Sequence, residues 1–303
     1  METKRVISEF LADRPEVVGA FGYGSGVFKQ SNYNGEVKPQ IDLILVVDNM
    51  QDWHKKNIAQ NPGDYSLIGK VRLSTVSRKN MKGKNHITYC ALIKSNDRLF
   101  KFGLIEKDDF ISDLTSWQKF YVAGRFHKPV LEVKKNPYLD SAVYKNRRAA
   151  FLIACILSEK KTNLHDLFCK ICSLSYIGDF RMGIAENPNK VRNIVEGSFD
   201  LLQEIYGGFS RYVTYIGNQE VEINYDKVFS DLHFLPEALT SYLGHSINEF
   251  RDIEEFRKAI LTYLHDCNCK ESISQALNGF WNNGILKSAP YVVSKLSKKF
   301  VRN

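Results

Sequence analysis

The sequence lacks any apolar run long enough to cross a bilayer. Its longest, Ala149 to Leu157, falls well short of the roughly 20 residues that a spanning helix needs. Met1 to Phe10 is charged and has no apolar centre, so a secretory signal is not expected. Glu2 and Glu9 among few basic residues argue equally against a transit peptide. The expectation is a cytosolic or already processed chain. There is no low-complexity stretch and no internal repeat, and the composition is that of an ordinary globular protein. No glycine-rich stretch ends in Gly-Lys-[Ser/Thr], which excludes a Walker P-loop. The spacing of Gly22, Gly24 and Gly26 also misses the dinucleotide fingerprint. Cysteine is limited to residues 90, 155, 169, 172, 267 and 269, which read as reduced thiols. Cys169 and Cys172 could join His265, Cys267 and Cys269 in a zinc site. The preferred reading is that both occupy an amphipathic helix as small apolar residues.

What is present begins with length and charge. A chain of 303 residues can hold two domains with real cores. A net charge of +8 suits an anionic partner, whether nucleotide, nucleic acid or acidic lipid surface. Two stretches then organise the rest. Gly22 to Phe28 is a glycine-rich turn behind the apolar run Val17 to Phe21. Ile41 to Val47 reads as a buried strand with Asp42 at its mouth. Glycines let backbone N–H groups approach a phosphate, and the Ser25 hydroxyl adds a donor. Asp42 can hold the Mg²⁺ that accompanies a nucleoside triphosphate. A Gly-Ser turn followed by Asp on the next strand is the pattern of nucleotidyltransferases.

Two departures from that pattern stand out. The loop between Ser25 and Asp42 is long, and the usual Asp-x-Asp is missing because residue 44 is Ile. Asp48 has the right parity but lies roughly 20 Å further along an extended strand. A second carboxylate must come from elsewhere, Asp113 or Asp97. Alternatively Asp42, the triphosphate and waters hold Mg²⁺ together.

Further along, Ile87 to Ile93 and Arg98 to Ile105 predict a hairpin around Ser95-Asn96-Asp97. Alternation places Phe100, Phe102 and Leu104 on one face and Lys101 on the other, where it can reach the triphosphate if Asp42 shares that face. Phe110, Leu114, Trp117 and Tyr121 predict a helix ended by Gly124, with Arg125 and Lys128 just beyond, placed to meet phosphates. Pro129 to Pro137 reads as a linker. Ala142 to Leu157, Asn163 to Ser175 and Val191 to Ile205 predict three helices, followed by a hairpin over Tyr212–Ile216 and Val221–Asn224. Three helices and a hairpin suggest a winged helix. Asp179 and Arg181, in the loop at Gly178, could close over a nucleotide or simply pair with each other. Asn248 predicts the cap of a further helix running to His265.

The wording around these residues carries a family resemblance. It lies in Phe21-Gly22-Tyr23-Gly24-Ser25-Gly26-Val27-Phe28, Asp42-Leu43-Ile44, Trp53-His54-Lys55-Lys56-Asn57, Asp64-Tyr65-Ser66 and Arg98-Leu99-Phe100-Lys101-Phe102-Gly103. It continues in Tyr121-Val122-Ala123-Gly124-Arg125, Lys128-Pro129, Leu174-Ser175-Tyr176-Ile177-Gly178-Asp179-Phe180-Arg181-Met182 and Asn189-Lys190-Val191. The series resembles the mitochondrial-type CDP-diacylglycerol synthase family, also called the translocator assembly and maintenance family, over about residues 15–210. The resemblance implies transfer of CMP from CTP to phosphatidic acid, and it alone carries the preference for cytosine.

Residue pattern and resemblance together predict an α+β chain. A nucleotidyltransferase-fold mixed sheet with helices covers 1–130, a mostly helical winged-helix-like domain covers 138–240, and a C-terminal helical region covers 245–303. Asp42, Lys101 and Ser25 are the expected catalytic residues, with Asp42 the metal ligand for Mg²⁺. Tyr23, Gly24, Ser25, Gly26, Lys101, Arg125, Lys128, Asp179 and Arg181 are expected to bind the nucleotide. The expected partners are CTP, phosphatidic acid and an anionic membrane surface, with no nucleic acid. The expected location is peripheral, on the cytoplasmic face in a bacterium or the matrix side of the mitochondrial inner membrane in a eukaryote. Two rivals stay open: a nucleotidyltransferase acting on RNA or protein, and a non-enzymatic winged-helix nucleic-acid binder. After Pro290, Val292, Val293, Leu296 and Phe300 fall on one side of a helical wheel and Lys295, Lys298, Lys299 and Arg302 on the other. That tail either lies in an anionic membrane interface or packs on the core.

Overall fold

The apolar run Leu43–Val47, preceded by Ile41 and Asp42, forms the central strand, and side chains on both of its faces are buried. The computed structural model describes residues 2–28, 39–74, 87–184, 187–244 and 252–283. The first part contains α1 (Glu2–Ala12), β1 (Gly19–Tyr23), β2 (Ile41–Val47), α2 (Met50–Gln60) and α3 (Leu67–Ser74). It continues with β3 (Ile87–Ser95), β4 (Arg98–Glu106), α4 (Lys107–Ser116), α5 (Ala123–Phe126) and β5 (Leu131–Lys134). The remainder contains α6 (Pro137–Ile156), β6 (Lys161–Asn163), α7 (Leu164–Ser173), α8 (Arg181–Ile184), α9 (Lys190–Gly197) and α10 (Phe199–Tyr206). It ends with β7 (Val213–Tyr215), β8 (Glu220–Ile223), α11 (Tyr225–Ser230), α12 (Glu237–Leu243) and α13 (Ile253–Asn283).

The five-stranded sheet has the order β3-β4-β2-β1-β5. β2 runs parallel to β4 and antiparallel to β1, so the sheet is mixed, and the expected α+β class holds. One face packs Ile41, Leu43, Leu45, Phe100, Phe102 and Leu104 against Ile7 and Phe10 of α1 and Met50 and Trp53 of α2. The other face packs Phe21, Ile44, Val46 and Ile105 against Phe110 and Leu114 of α4 and Phe126 of α5. A strand covered on both sides reads as a continuous apolar run, which is why Leu43–Val47 does not alternate.

Several elements differ from expectation for local reasons. β1 continues through Gly22 and Tyr23, because both pair with β2. The helix expected to run to Gly124 ends at Ser116, and Trp117 takes the left-handed conformation at φ 57°. Trp117 is thereby turned into the second core, where its Nε1 donates to Asn146 Oδ1 at 2.7 Å. Gly124 is not a helix cap. It lies inside α5, where a Cβ would run into the side chain of Ser175. The expected linker after Pro129 contributes β5, an edge strand antiparallel to β1. The single helix expected over Val191–Ile205 is broken at Ser198 into α9 and α10.

The second core is built on α6, whose Ala149 to Ile156 are all buried. Leu167 and Ile171 of α7, Val195, Leu202, Val221 and Phe256, Ile260 and Leu264 of α13 join it. Asn163 accepts a hydrogen bond from the Asp166 N–H and so starts α7 as its sequence suggests. A small sheet of order β6-β8-β7 closes this half. Cys155 and Cys172 are buried thiols, and among the described residues no group of three or more His, Cys, Asp or Glu could hold a metal. No described helix is long and apolar enough to cross a membrane. Asn248 and the amphipathic tail after Pro290 lie outside the described residues.

His54, part of the motif Trp53 to Asn57, belongs to a buried polar network. Its Nδ1 lies 3.1 Å from the Tyr65 hydroxyl and its Nε2 2.8 Å from Thr88 Oγ1. Asn57 Nδ2 donates to Tyr65 and Asp64, and Arg14 clasps Asp64 through Nε and Nη2 at 3.0 and 2.9 Å. Burial pulls His54 and His127 down to about 3 each, so both are neutral in the folded protein. The unfolded chain takes up these protons near the ordinary value of about 6.5. Their contribution to stability is therefore fully present above that pH and is lost as pH falls toward 3. Between pH 6.5 and 5, above the carboxylate range, each should cost up to about 1.4 kcal/mol per pH unit. Urea midpoints measured at pH 7, 6 and 5 should fall steadily, and His127→Asn should flatten the slope. A midpoint constant over that range would contradict the assignment.

Candidate active site

The register of the central strands assembles the site. Tyr23 of β1 is the cross-strand partner of Asp42 on β2, and Asp42 is the partner of Lys101 on β4. Pairing side by side puts these three side chains in one row on one face, because side chains directly opposite across a ladder point the same way. This face is the one that carries Phe21, Ile44, Val46 and Ile105 further along. Asp42 and Lys101 thus share a face, as the alternation required.

The glycine turn closes over this row. Gly24 has φ +76°, a conformation that side chains rarely adopt, and a Cβ there would stand 3.4 Å from Asp42 Oδ2. The Gly24 carbonyl accepts from the N–H groups of Val27 and Phe28 at 3.1 and 2.9 Å, which makes residues 24–28 a single helical turn. Gly26 lies against the Gln40 backbone, where a Cβ would collide with the Gln40 carbonyl. Ser25, at the tip, is exposed. Gln40 Nε2 donates to Asp42 Oδ1 at 3.2 Å.

Lys101 rests on an aromatic ring. Its Nζ lies 4.7 Å from the ring centroid of Tyr89. Tyr89 reaches this place by lying across Gly103, its partner on β4, where a Cβ would stand 2.6 Å from the ring. β3 bulges between Cys90 and Ile93, with Leu92 at φ 59°, directly opposite Lys101.

A second cation faces the row from α5. Arg125 lies 5.5 Å from the ring centroid of Tyr23 and 3.9 Å from that of Tyr121. It donates to the Tyr121 carbonyl at 2.9 Å and hydroxyl at 2.6 Å. Burial works against its charge, but Tyr121, Tyr89 and Tyr23 more than offset this and hold its pKa well above the usual value. Burial pushes the Tyr23 hydroxyl up, and Asp42 adds to this while Arg125 and Lys101 oppose it. Three tyrosine rings thus lie beside Lys101 and Arg125.

Lys128 and the loop after α7 extend the basic surface. Lys128 Nζ donates to Ser175 Oγ at 2.6 Å and lies 4.6 Å from the ring centroid of Tyr176. Lys190 Nζ lies 5.0 Å from the same ring. Asp179 is buried and clasped by Arg181, with Nε on Oδ1 at 2.9 Å and Nη2 on Oδ2 at 2.6 Å. This ion pair stiffens the loop, while Arg181 stays partly exposed.

The other carboxylates considered with Asp42 have surroundings of their own. Asp113 is buried, and its Oδ2 accepts from the N–H groups of Val122 and Ala123 at 2.6 and 3.0 Å, holding the start of α5. Asp97 sits exposed in the β3–β4 turn at φ 57°, and Asp48 pairs with Lys107 at 3.5 Å. Tyr89, Tyr121, Tyr176 and Lys190 were given no site role in the sequence reading. Tyr121, Tyr176 and Lys190 fall within motifs that resemble the family, and Tyr89 falls in none of them.

A glycine turn, one carboxylate and several cations beside tyrosine rings thus lie together. A solved structure described as a nucleotidyltransferase-like protein from Exiguobacterium sibiricum aligns at 12% identity over 92% of this chain and 77% of that chain. Its TM-score of 0.26 is too low to establish a common fold. Sequence relatives are much nearer. The mouse protein named phosphatidate cytidylyltransferase, mitochondrial, is 31% identical over 321 residues, covering 96% of this chain and 94% of its own. The Xenopus laevis protein of that name is 31% identical, covering 99% and 91%, and the Caenorhabditis elegans one is 30% identical, covering 92% and 93%. A family model described as phosphatidate cytidylyltransferase, mitochondrial, matches residues 3–298, and so takes in both the glycine turn with its Asp42–Lys101 row and the basic loop. By this match across almost all of its length, the chain belongs to the mitochondrial phosphatidate cytidylyltransferase family.

Proposed function

We propose that the protein transfers CMP from CTP to phosphatidic acid, giving CDP-diacylglycerol and pyrophosphate. Beyond family membership, one observation carries this reading: the row Tyr23–Asp42–Lys101 beside the glycine turn, with Arg125 opposite. A phosphate oxygen of phosphatidic acid attacks the α-phosphorus of CTP. A new P–O bond forms, and the bond from the α-phosphorus to the oxygen bridging the β-phosphorus breaks. Pyrophosphate leaves with that electron pair. A phosphate monoester has a second pKa of about 6, so the nucleophile is already ionised and needs no general base. The protein's task is to bring two polyanions together and offset the charge that develops.

In this reading the turn over Gly24, Ser25 and Gly26 cradles the triphosphate, and Lys101, steadied on Tyr89, stabilises charge on the transferring group. Arg125 supplies a second fixed cation. One carboxylate with phosphate oxygens and waters is an ordinary Mg²⁺ environment, so Asp42 fits a metal that arrives with the nucleotide. Asp42 would hold that ion, which neutralises phosphate charge when bound. The arrangement of β6, β7 and β8 after α6 supports a winged-helix-like reading of the second half, and RNA is therefore the rival acceptor. Labelled CTP offered with phosphatidic acid or with tRNA separates the two, and label should appear in the lipid alone.

Asp42→Asn should lower kcat/KM by about 10²-fold or more, and Lys101→Ala by at least about tenfold, with melting temperatures near that of the unchanged protein. Turnover unchanged in Asp42→Asn would remove Asp42 from the mechanism. Excess EDTA should abolish activity and added Mg²⁺ restore it. Full turnover in EDTA would exclude the metal.

The lipid acceptor also supports a peripheral place at an anionic membrane, reached through the basic amphipathic pattern after Pro290. Deleting the residues after Ala289 should abolish sedimentation with phosphatidic-acid liposomes and leave CTP binding unchanged. Liposome binding retained by the truncated protein would show that the tail is not the anchor.

A further inference from the structure

Two groups of cations lie in the site, and they have different neighbours. The groups that act on Tyr23 are Arg125, Asp42, Lys101 and Tyr121. Those that act on Lys128 are Tyr176, Cys172, Arg125 and Lys190. Arg125 alone is common to both. Lys128 stands beyond Arg125 on the same short segment, its N–H donating to the Arg125 carbonyl at 3.2 Å. Its side chain is directed to the loop after α7, onto Ser175 and the Tyr176 ring.

Lys128 and Arg125 bring positive charge together in a half-buried place, with Lys190 on the far side of the Tyr176 ring. Among the described residues no carboxylate forms an ion pair with Lys128 or with Arg125, whereas Arg181 in the same loop has Asp179. Burial lowers the pKa of Lys128, and the charges of Arg125 and Lys190 add to this, only partly countered by Tyr176 and Cys172. Burial raises the Tyr176 hydroxyl, but Lys128, Lys190 and Arg125 outweigh it and leave its pKa lowered. Holding like charges together in a half-buried place is unfavourable unless an anion completes it.

We propose that Lys128, with Ser175, Tyr176 and Lys190, forms the subsite for the phosphomonoester of the acceptor lipid, joined to the nucleotide subsite through Arg125. The proposal rests on the CMP-transfer reading above. That reaction needs two phosphate-binding places in contact, and the Asp42–Lys101 row beside the glycine turn accounts for one. Lysine ammonium groups are compact point charges suited to a tetrahedral phosphate, and the Ser175 and Tyr176 hydroxyls add donors. Arg125, between the two, can contact both phosphates, which places the attacking oxygen next to the α-phosphorus.

The test is Lys128→Met, assayed with CTP and phosphatidic acid in mixed micelles, with CTP affinity and pyrophosphate inhibition measured separately. KM for phosphatidic acid should rise at least about tenfold, the loss expected for one phosphate contact. CTP affinity and pyrophosphate inhibition should each change by less than about twofold, and Lys128→Arg should recover part of the loss. A parallel loss of CTP affinity or pyrophosphate inhibition would place Lys128 on the triphosphate and overturn the proposal. So would an unchanged KM for phosphatidic acid. If Lys128→Met does not fold, Lys190→Gln makes the same comparison with the same expected split, and an unchanged KM there overturns the proposal. Absence of CMP transfer to phosphatidic acid by the unmodified protein would refute the underlying reaction instead.

Discussion

The parallel pairing of β2 with β4 is the constraint on which the site depends. Its register places Asp42 beside Lys101, and the antiparallel pairing of β1 with β2 adds Tyr23 to the same row. A slip of one residue would turn Lys101 to the opposite face, into the core formed by Phe100, Phe102 and Leu104. Burying an unpaired ammonium there would cost far more than a lost surface contact, so core packing and site geometry reinforce one register. Gly103 serves both, because its missing side chain leaves room for the Tyr89 ring that supports Lys101.

The second half of the site depends on how the two cores meet. Trp117 and Phe120 follow α4 out of the first half and are buried in the core of the second. Asp113 fixes the start of α5 by accepting two backbone N–H groups. Asn146 of α6 accepts from Trp117 and donates to the Ala123 carbonyl at 3.0 Å, and the Tyr206 hydroxyl donates to the His127 carbonyl at 2.8 Å. Gly124 then lets α5 touch Ser175. These contacts hold Arg125 and Lys128 between the sheet and the loop after α7. Asp113 thus bears on this region through the backbone that it positions.

Aromatic rings do much of the electrostatic work. Tyr23, Tyr89, Tyr121 and Tyr176 lie against Arg125, Lys101, Lys128 and Lys190. A ring face attracts a cation without cancelling its charge, whereas a carboxylate partner would compete with an incoming phosphate. In the loop after α7, Arg181 is instead clasped by Asp179.

Much of the fold was legible in the chain because its signals are local. The run Ile41–Val47, the hairpin over Ile87–Ile105 with its Asn96-Asp97 turn, and the Asn163 cap all form as their residues suggest. Alternation alone separated Lys101 from its apolar neighbours. Misreadings arose where a distant contact overrode local preference. Trp117 leaves its helix to fill the second core, and the stretch after Pro129 becomes a strand because the edge of β1 is available for pairing. By itself the sequence determined the strand faces, the glycine turn and the identity of the charged groups, since these follow from backbone period and residue chemistry. Only the tertiary structure decided that Tyr89 lies under Lys101, that Asp113 caps α5, and that Lys128 meets Ser175 and Tyr176. Those meetings join residues far apart in the chain, and which partners come together is set by packing of the two cores rather than by any local pattern.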